Sequence, residues 1–160
     1  METAMMNSNR LLVLFVVIAT LSLPKGCPKQ PAHKLVSLVL EAAPNVNPDP
    51  SGQALSVVVR VYQLKDKGRF DAADYNAIWR SDKETLSDDF LDVQERVVQP
   101  GTQEILDINP NPMASYLGVV ALFRNPSGDT WRRIIPISGK NPKINLSLRE
   151  YSIELGPVIK

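Results

Sequence analysis

Apolar residues that recur at every second position constrain this chain most. Val36, Leu38, Leu40 and Ala42 alternate with Ser37, Val39 and Glu41. Val57, Val59 and Val61 alternate with Val58, Arg60 and Tyr62, and Ile144, Leu146 and Leu148 with Asn145, Ser147 and Arg149. Leu117, Val119, Ala121 and Phe123 share one parity, with Gly118, Val120 and Leu122 on the other. A period of two belongs to a pleated strand, whose successive side chains leave opposite faces, and not to a helix with its period of 3.6. The run ending at Phe123 is apolar on both faces, which predicts a central strand; the run ending at Arg149 predicts one wet face. Tyr151, Ile153 and Leu155 predict a last strand. Their parity differs from that of Leu148, so a turn or bulge is expected at Arg149 and Glu150.

The segments between these runs carry turn chemistry. Pro48-Asp49-Pro50-Ser51-Gly52, Pro100-Gly101, Asn109-Pro110-Asn111-Pro112, Asn125-Pro126-Ser127-Gly128 and Gly139-Lys140-Asn141-Pro142 all combine Pro or Gly with Asn, Asp or Ser. Pro136 falls inside Trp131–Ile137, so that strand is expected at a sheet edge or broken there. The 13 prolines leave one long gap, from Ser51 to Gln99. Within it, Asp71-Ala72-Ala73-Asp74-Tyr75-Asn76-Ala77-Ile78-Trp79 has a composition foreign to strands and predicts a helical insert at about 70–91. Ser81, Asp82 or Ser87 is the expected cap, with another turn over Thr85–Leu91. Phe70, Tyr75, Ile78, Trp79, Leu86 and Phe90 are expected to pack this insert against the strands. Short strands at such spacing predict a two-sheet β-sandwich or a barrel.

Composition narrows the chemistry. The formal net charge of +1 is not that of a nucleic-acid binder. One cysteine, Cys27, and one histidine, His33, both near the start, leave no internal disulfide, no Cys/His zinc cluster and no imidazole for an interior catalyst. There is no Gly-x-Ser-x-Gly elbow, phosphate loop or His-Glu-x-x-His. Asp88, Asp89, Asp92 and Glu95 lie on one segment and read as a solvated acidic face, since two-carboxylate chemistry needs groups facing each other across a cleft. No catalytic residue, metal ligand or cofactor site is assigned.

The first 26 residues read as an address. A polar start ending at Arg10 is followed by the apolar run Leu11–Leu23 and then Pro24-Lys25-Gly26-Cys27. As a helix that run spans about 20 Å, too short for a bilayer core of about 30 Å. This is the pattern of a secretory signal peptide. Gly26-Cys27 resembles the end of a bacterial lipoprotein signal, which makes Cys27 the expected lipidation site and first mature residue. Residues 27–33 then form a stiff tether ending at His33, and residues 34–160 the folded domain.

One loop has binding character. Pro44, Asn45, Val46, Asn47, Pro48, Asp49, Pro50, Ser51, Gly52 and Gln53 precede Ala54 and Leu55 in a connection too long for a simple turn. Its three prolines pre-stiffen it and lower the entropy lost on docking. Asn47-x-Asp49-x-Ser51-Gly52 begins like a calcium loop, but the twelfth position is Val58 instead of Glu. Charge is also segregated: Asp66–Glu95 has nine acids and four bases, and Asn111–Lys160 seven bases and three acids. Such opposed patches orient protein association.

Several strings together resemble a known family. They are Val46-Asn47-Pro48-Asp49, Ser56-Val57-Val58-Val59-Arg60-Val61-Tyr62-Gln63-Leu64-Lys65, Phe70-Asp71-Ala72-Ala73-Asp74-Tyr75, Tyr116-Leu117-Gly118-Val119-Val120-Ala121-Leu122-Phe123-Arg124 and Trp131-Arg132. They resemble the outer-membrane lipoprotein of the type VI secretion system, the TssJ (VasD or SciN) family, over roughly Lys34 to Leu155. The resemblance implies a transthyretin-like β-sandwich with a helical insertion and no enzymatic activity. It implies a lipid anchor in the inner leaflet of the outer membrane, facing the periplasm. It also implies binding to the periplasmic C-terminal part of the large inner-membrane component TssM, in a complex with TssL, with the loop between the first two strands, here Pro44–Leu55, as a main contact. A periplasmic small-ligand carrier or a generic envelope lipoprotein on the same scaffold is the alternative reading, and the carrier predicts an apolar pocket between the sheets.

Overall fold

A computed structural model describes residues 35–137 and 143–156. The signal segment, Cys27, the tether with His33 and the turn signal from Gly139 to Pro142 lie outside the described residues. Eight strands are present in chain order: β1 (Val36–Ala42), β2 (Val57–Leu64), β3 (Phe90–Val98), β4 (Gln103–Ile108), β5 (Tyr116–Leu122), β6 (Arg132–Pro136), β7 (Lys143–Arg149) and β8 (Ser152–Leu155). Two helices, α1 (Gly68–Ala72) and α2 (Tyr75–Leu86), and a 3₁₀ turn at Ser87–Asp89 lie between β2 and β3. The strands form two four-stranded sheets, ordered β4-β1-β7-β8 and β3-β2-β5-β6. β1 and β7 pair in parallel and the other pairs are antiparallel.

The alternation read from the sequence sets which face of each strand turns inward. Val36, Leu38, Leu40 and Ala42 of β1 and Ile144, Leu146 and Leu148 of β7 are buried against Val57, Val59 and Val61 of β2 and Leu117, Val119 and Ala121 of β5. β5 lies between β2 and β6, the central place its two apolar faces predict. β6 is an edge strand and ends at Pro136, where no ladder donor is required. Glu150 and Tyr151 form the turn between β7 and β8, whose register pairs Leu148 with Ile153 and Arg149 with Ser152. Tyr151 therefore belongs to the turn and not to the last strand. Leu155 is exposed because β8 is an edge strand at the margin of the sandwich.

A second core lies on the outer face of the β3-β2-β5-β6 sheet. Tyr62, Leu64 and Val120 point away from the sandwich yet are fully buried, because Phe70, Ile78 and Leu86 of the helical segment cover them. The Tyr62 ring meets Phe70 and Phe90 edge to face, at 6.1 and 6.4 Å between centroids. Its hydroxyl donates to Asp82 at 2.9 Å, which satisfies the one polar atom this burial creates. Gly118 of β5 permits the close approach: a Cβ there would stand 2.6 Å from a Phe70 ring carbon. Asp74, not one of the three expected residues, caps α2 by accepting the Ala77 N–H at 2.9 Å, and Ser81 marks a kink inside the helix. Trp79 departs from its expected core role, being 47% exposed.

Strands β3 and β4 are absent from the alternation pattern. β3 is an edge strand carrying Asp92, Glu95 and Arg96, and charge is a usual guard on an unpaired edge. Asp88, Asp92 and Glu95 are exposed, as the solvated acidic face predicts, and Asp89 is half-buried. Asp89 pairs with Arg69 at 3.4 Å, Glu95 with Arg60 at 2.9 Å, and Asp92 accepts from Gln63 at 3.4 Å.

Gly118→Ala is expected to destabilise the fold by about 1–3 kcal/mol through overpacking against Phe70. A compensating Phe70→Leu in the same chain should recover part of the loss. Urea denaturation of the two variants and the parent measures both effects.

Candidate functional site

The connection from β1 to β2, residues 43–56, is long because it carries the chain from one sheet to the other. Its root is stitched into the end of the sandwich. Ala43 N–H donates to the Leu148 carbonyl at 2.8 Å, Val46 N–H to Ala43 at 3.1 Å, and Asn47 N–H to Glu150 at 2.7 Å. The Val46 side chain is fully buried. Tyr151 Oη donates to the Pro48 carbonyl at 2.9 Å, so the β7–β8 turn props the loop from beneath.

Asn47 is the keystone. It is buried and holds a φ of +49°, a left-handed conformation that Asn tolerates better than most side chains. Its Nδ2 donates to the Ser56 carbonyl at 2.9 Å, and its Oδ1 accepts the Arg124 N–H at 2.8 Å. One side chain thus ties the start of the loop to its end and to the segment after β5.

The tip folds around Asp49. Its Oδ1 accepts from the Ser51 hydroxyl at 2.6 Å, the Ser51 N–H at 2.8 Å and the Gln53 N–H at 2.9 Å. Asp49 N–H donates to the Gln53 carbonyl and Gly52 N–H to the Asp49 carbonyl, both at 2.9 Å, with Gly52 at a φ of +86°. The Ser51 hydroxyl, then the Gln53 N–H and with them the charge of Arg124 hold the Asp49 carboxyl below its ordinary range. This oxygen serves the turn, and no group of three or more metal-ligating side chains occurs among the described residues.

The ten residues singled out from sequence therefore divide. Pro44, Asn45, Pro50, Ser51, Gly52 and Gln53 are exposed, and Pro48 and Asp49 partly so. Val46 and Asn47 are buried: they shape the surface and present no contact atoms of their own. The partner of Asn47 lies 77 positions away at Arg124, a link no local sequence signal could have shown. The space between the sheets, where a small-ligand carrier would hold its apolar pocket, is filled by Leu38, Leu40, Val59, Val119, Leu146 and their neighbours, and three clefts lie at the surface. The two larger ones run along Glu41–Pro44 with Gly101–Gln103 and Ser147–Arg149, and beside Asn45, Thr130 and Tyr151.

These features define a class: a rigid two-sheet sandwich with a helical layer on one face and a braced loop at one end. The chain belongs to the type VI secretion lipoprotein family (VasD, EvfM, TssJ), whose pattern it matches over residues 34–156. The family is one of structural lipoproteins and not of enzymes. The fold is similar to that of the T6SS lipoprotein TssJ1 from Pseudomonas aeruginosa, with 29% identity, a TM-score of 0.75, and 81% of this chain and 98% of that one covered. A chain in a structure described as a type VI membrane complex is 32% identical, with a TM-score of 0.72 and coverage of 78% and 99%. A chain in the structure of the TssM C-terminal domain from EAEC is 30% identical, with a TM-score of 0.70 and the same coverage. Among curated proteins no sequence matches.

Two outcomes test the loop architecture. Asn47→Ala should cost about 2–3 kcal/mol, from two lost hydrogen bonds and a strained φ, and Asn47→Gly less because it relieves the φ. Urea melts rank the two. The folded Asp49 titrates below its unfolded value of 3.8. Its bracing is therefore complete above that value and is lost as pH falls through the lower folded one. A carbonyl NMR titration should give an Asp49 midpoint below 3.8, moved back up by Ser51→Ala.

Proposed function

We propose that this chain is the outer-membrane anchor of a type VI secretion membrane complex. In this reading residues 1–26 are removed, Cys27 carries the lipid, residues 27–33 are the tether and residues 34–160 the periplasm-facing domain. The domain binds the periplasmic C-terminal domain of a TssM-type inner-membrane protein, with TssL in the same complex. The observation that carries the proposal is the hydrogen-bonded tip at Pro48–Gln53, exposed at one end of a rigid mount. Two comparisons support it: similar chains occur in a type VI membrane complex and in the structure of a TssM C-terminal domain. No helix among the described residues is long and apolar enough to cross a membrane.

Preorganisation is the physical advantage of such a tip. A loop that already holds its bound shape does not lose ordering entropy again on docking. Pro50 and Gln53 are suited to testing this, because both are exposed and neither side chain makes a hydrogen bond within the loop. Pro50→Arg with Gln53→Arg should weaken binding to the cognate TssM-type domain by about ten-fold or more, roughly 1.4 kcal/mol, at an unchanged melting temperature. Calorimetric titration measures it, and undiminished affinity would remove the loop from the interface. Separately, Cys27→Ser should move the protein out of the outer-membrane fraction. Retention there would mean that the cysteine is not the anchor.

A further inference from the structure

A second surface adjoins the root of the loop. α2 crosses the outer face of the β3-β2-β5-β6 sheet but stops short of its end. Val58 and Leu122, paired across β2 and β5 on that face, are left only half covered. Tyr75 forms one wall and is held rigidly: its hydroxyl donates to the Phe123 carbonyl at 2.6 Å, and its ring meets Trp131 edge to face at 5.2 Å. Trp79 forms the other, 6.5 Å from Tyr75 between ring centroids and 47% exposed. With Arg124 at the mouth, these residues enclose a largely apolar cleft of about 370 Å³.

The charges at the rim are of one sign. The Arg80 guanidinium lies over the Trp79 ring at 5.0 Å. Arg124 is exposed, and neither arginine is in an ion pair among the described residues. Asp49, at the loop tip, feels the charge of Arg124, and the other nearby acids have partners elsewhere. Asp74 caps α2, while Asp82 and Glu95 face Arg60 at 3.6 and 2.9 Å. Although the insert is acidic as a whole, its edge at the cleft is basic. Arg124 also joins the cleft to the loop, since its N–H is held by Asn47 and its side chain lines an adjoining hollow with Pro48 and Pro50.

We infer that the Trp79 cleft is a second contact for the partner that engages the loop, and that it receives an apolar side chain flanked by carboxylates. The inference rests on the loop reading above for the partner's identity. A half-exposed tryptophan on a rigid wall, beside two exposed arginines that are in no ion pair among the described residues, has the make-up of an interface hot spot. The two cations select an acidic neighbour for the apolar group and steer its approach. Continuity through Arg124 makes one partner cover both surfaces, which a separate ligand would not do.

The test uses the full-length chain, expressed with its own leader, purified in mild detergent and labelled with 5-fluorotryptophan. The chain has two tryptophans, Trp79 and the buried Trp131, so the fluorine spectrum separates cleft from core. Adding the unlabelled TssM-type periplasmic domain should shift the Trp79 resonance and leave Trp131 in place. Trp79→Ala should weaken binding about ten-fold, and Arg80→Glu with Arg124→Glu should slow association and flatten its salt dependence. An unmoved Trp79 resonance and unchanged Trp79→Ala affinity, with the loop-tip variant still defective, would overturn the cleft and spare the loop. The opposite pattern would retain the cleft and remove the loop. A wild-type chain that fails to bind overturns both. A Trp79 resonance that moves with the chain's own concentration, without partner, would assign the cleft to a second copy instead.

Discussion

The pairing of β2 with β5 is the interaction on which the rest of the structure depends. Over most of their length both strands are covered on both faces, by the other sheet on one side and by the helical layer at Tyr62, Leu64 and Val120 on the other, with Val58 and Leu122 half covered at one end. Val57, Val59 and Val61 with Leu117, Val119 and Ala121 build the main core, while Tyr62, Leu64 and Val120 build the second. A strand pair that buries side chains on both faces cannot slip by one residue, because a slip would exchange the two sets and drive a tyrosine hydroxyl into the sandwich. The β2–β5 register is thereby locked, and with it the position of every element that follows β2 or flanks β5.

From this lock the geometry of the loop follows. β1 belongs to one sheet and β2 to the other, so the chain between them must cross the end of the sandwich. A crossing segment has no ladder to satisfy its backbone, and side chains and neighbouring turns have to do so instead. Asn47 meets that need at the root and Asp49 at the tip, with the β7–β8 turn contributing the Glu150 carbonyl and the Tyr151 hydroxyl. The prolines limit the unfolded alternatives of the same segment. The long connection is therefore an ordered surface, and its length reflects topology before it reflects function.

What was legible in the sequence is what a period of two can encode. β1, β2, β5 and β7 are each dominated by burial of one or both faces, and their alternation carries their boundaries and facing. β3 and β4 were not legible because edge strands are selected for charge, which masks the period: Asp92, Glu95 and Arg96 in β3, and Glu104 and Asp107 in β4. The helical insert was legible by composition, but its cap was not. Asp74 sits two residues after α1 ends, and only the break between α1 and α2 makes it a cap. At the site, the loop stood out through its prolines. The division between its buried root and exposed tip depends on Arg124, Glu150 and Tyr151, which are distant in sequence.

The helical layer has a consequence for the outer surface as well. Arg60 lies on the outer face of β2 and donates to the Trp79 carbonyl at 3.3 Å while pairing with Asp82 and Glu95. It therefore fixes α2 by its backbone and leaves the Trp79 indole free to face outward. One turn earlier α2 is fixed by a side chain instead, the Tyr75 hydroxyl donating to the Phe123 carbonyl. A fold that needed only to cover β2 could have turned this aromatic inward, as it does Phe70 and Ile78. Instead the helix is secured by polar contacts on one side of Trp79 and an aromatic contact on the other, and the indole is held at the rim. Because the same segment after β5 that receives the Tyr75 hydroxyl also donates to Asn47, the loop root and the wall of the cleft are tied to one short stretch of backbone, Phe123–Arg124. The two surfaces are thus set at a constant spacing, so a partner that meets both gains the second contact without a further loss of conformational freedom in this chain.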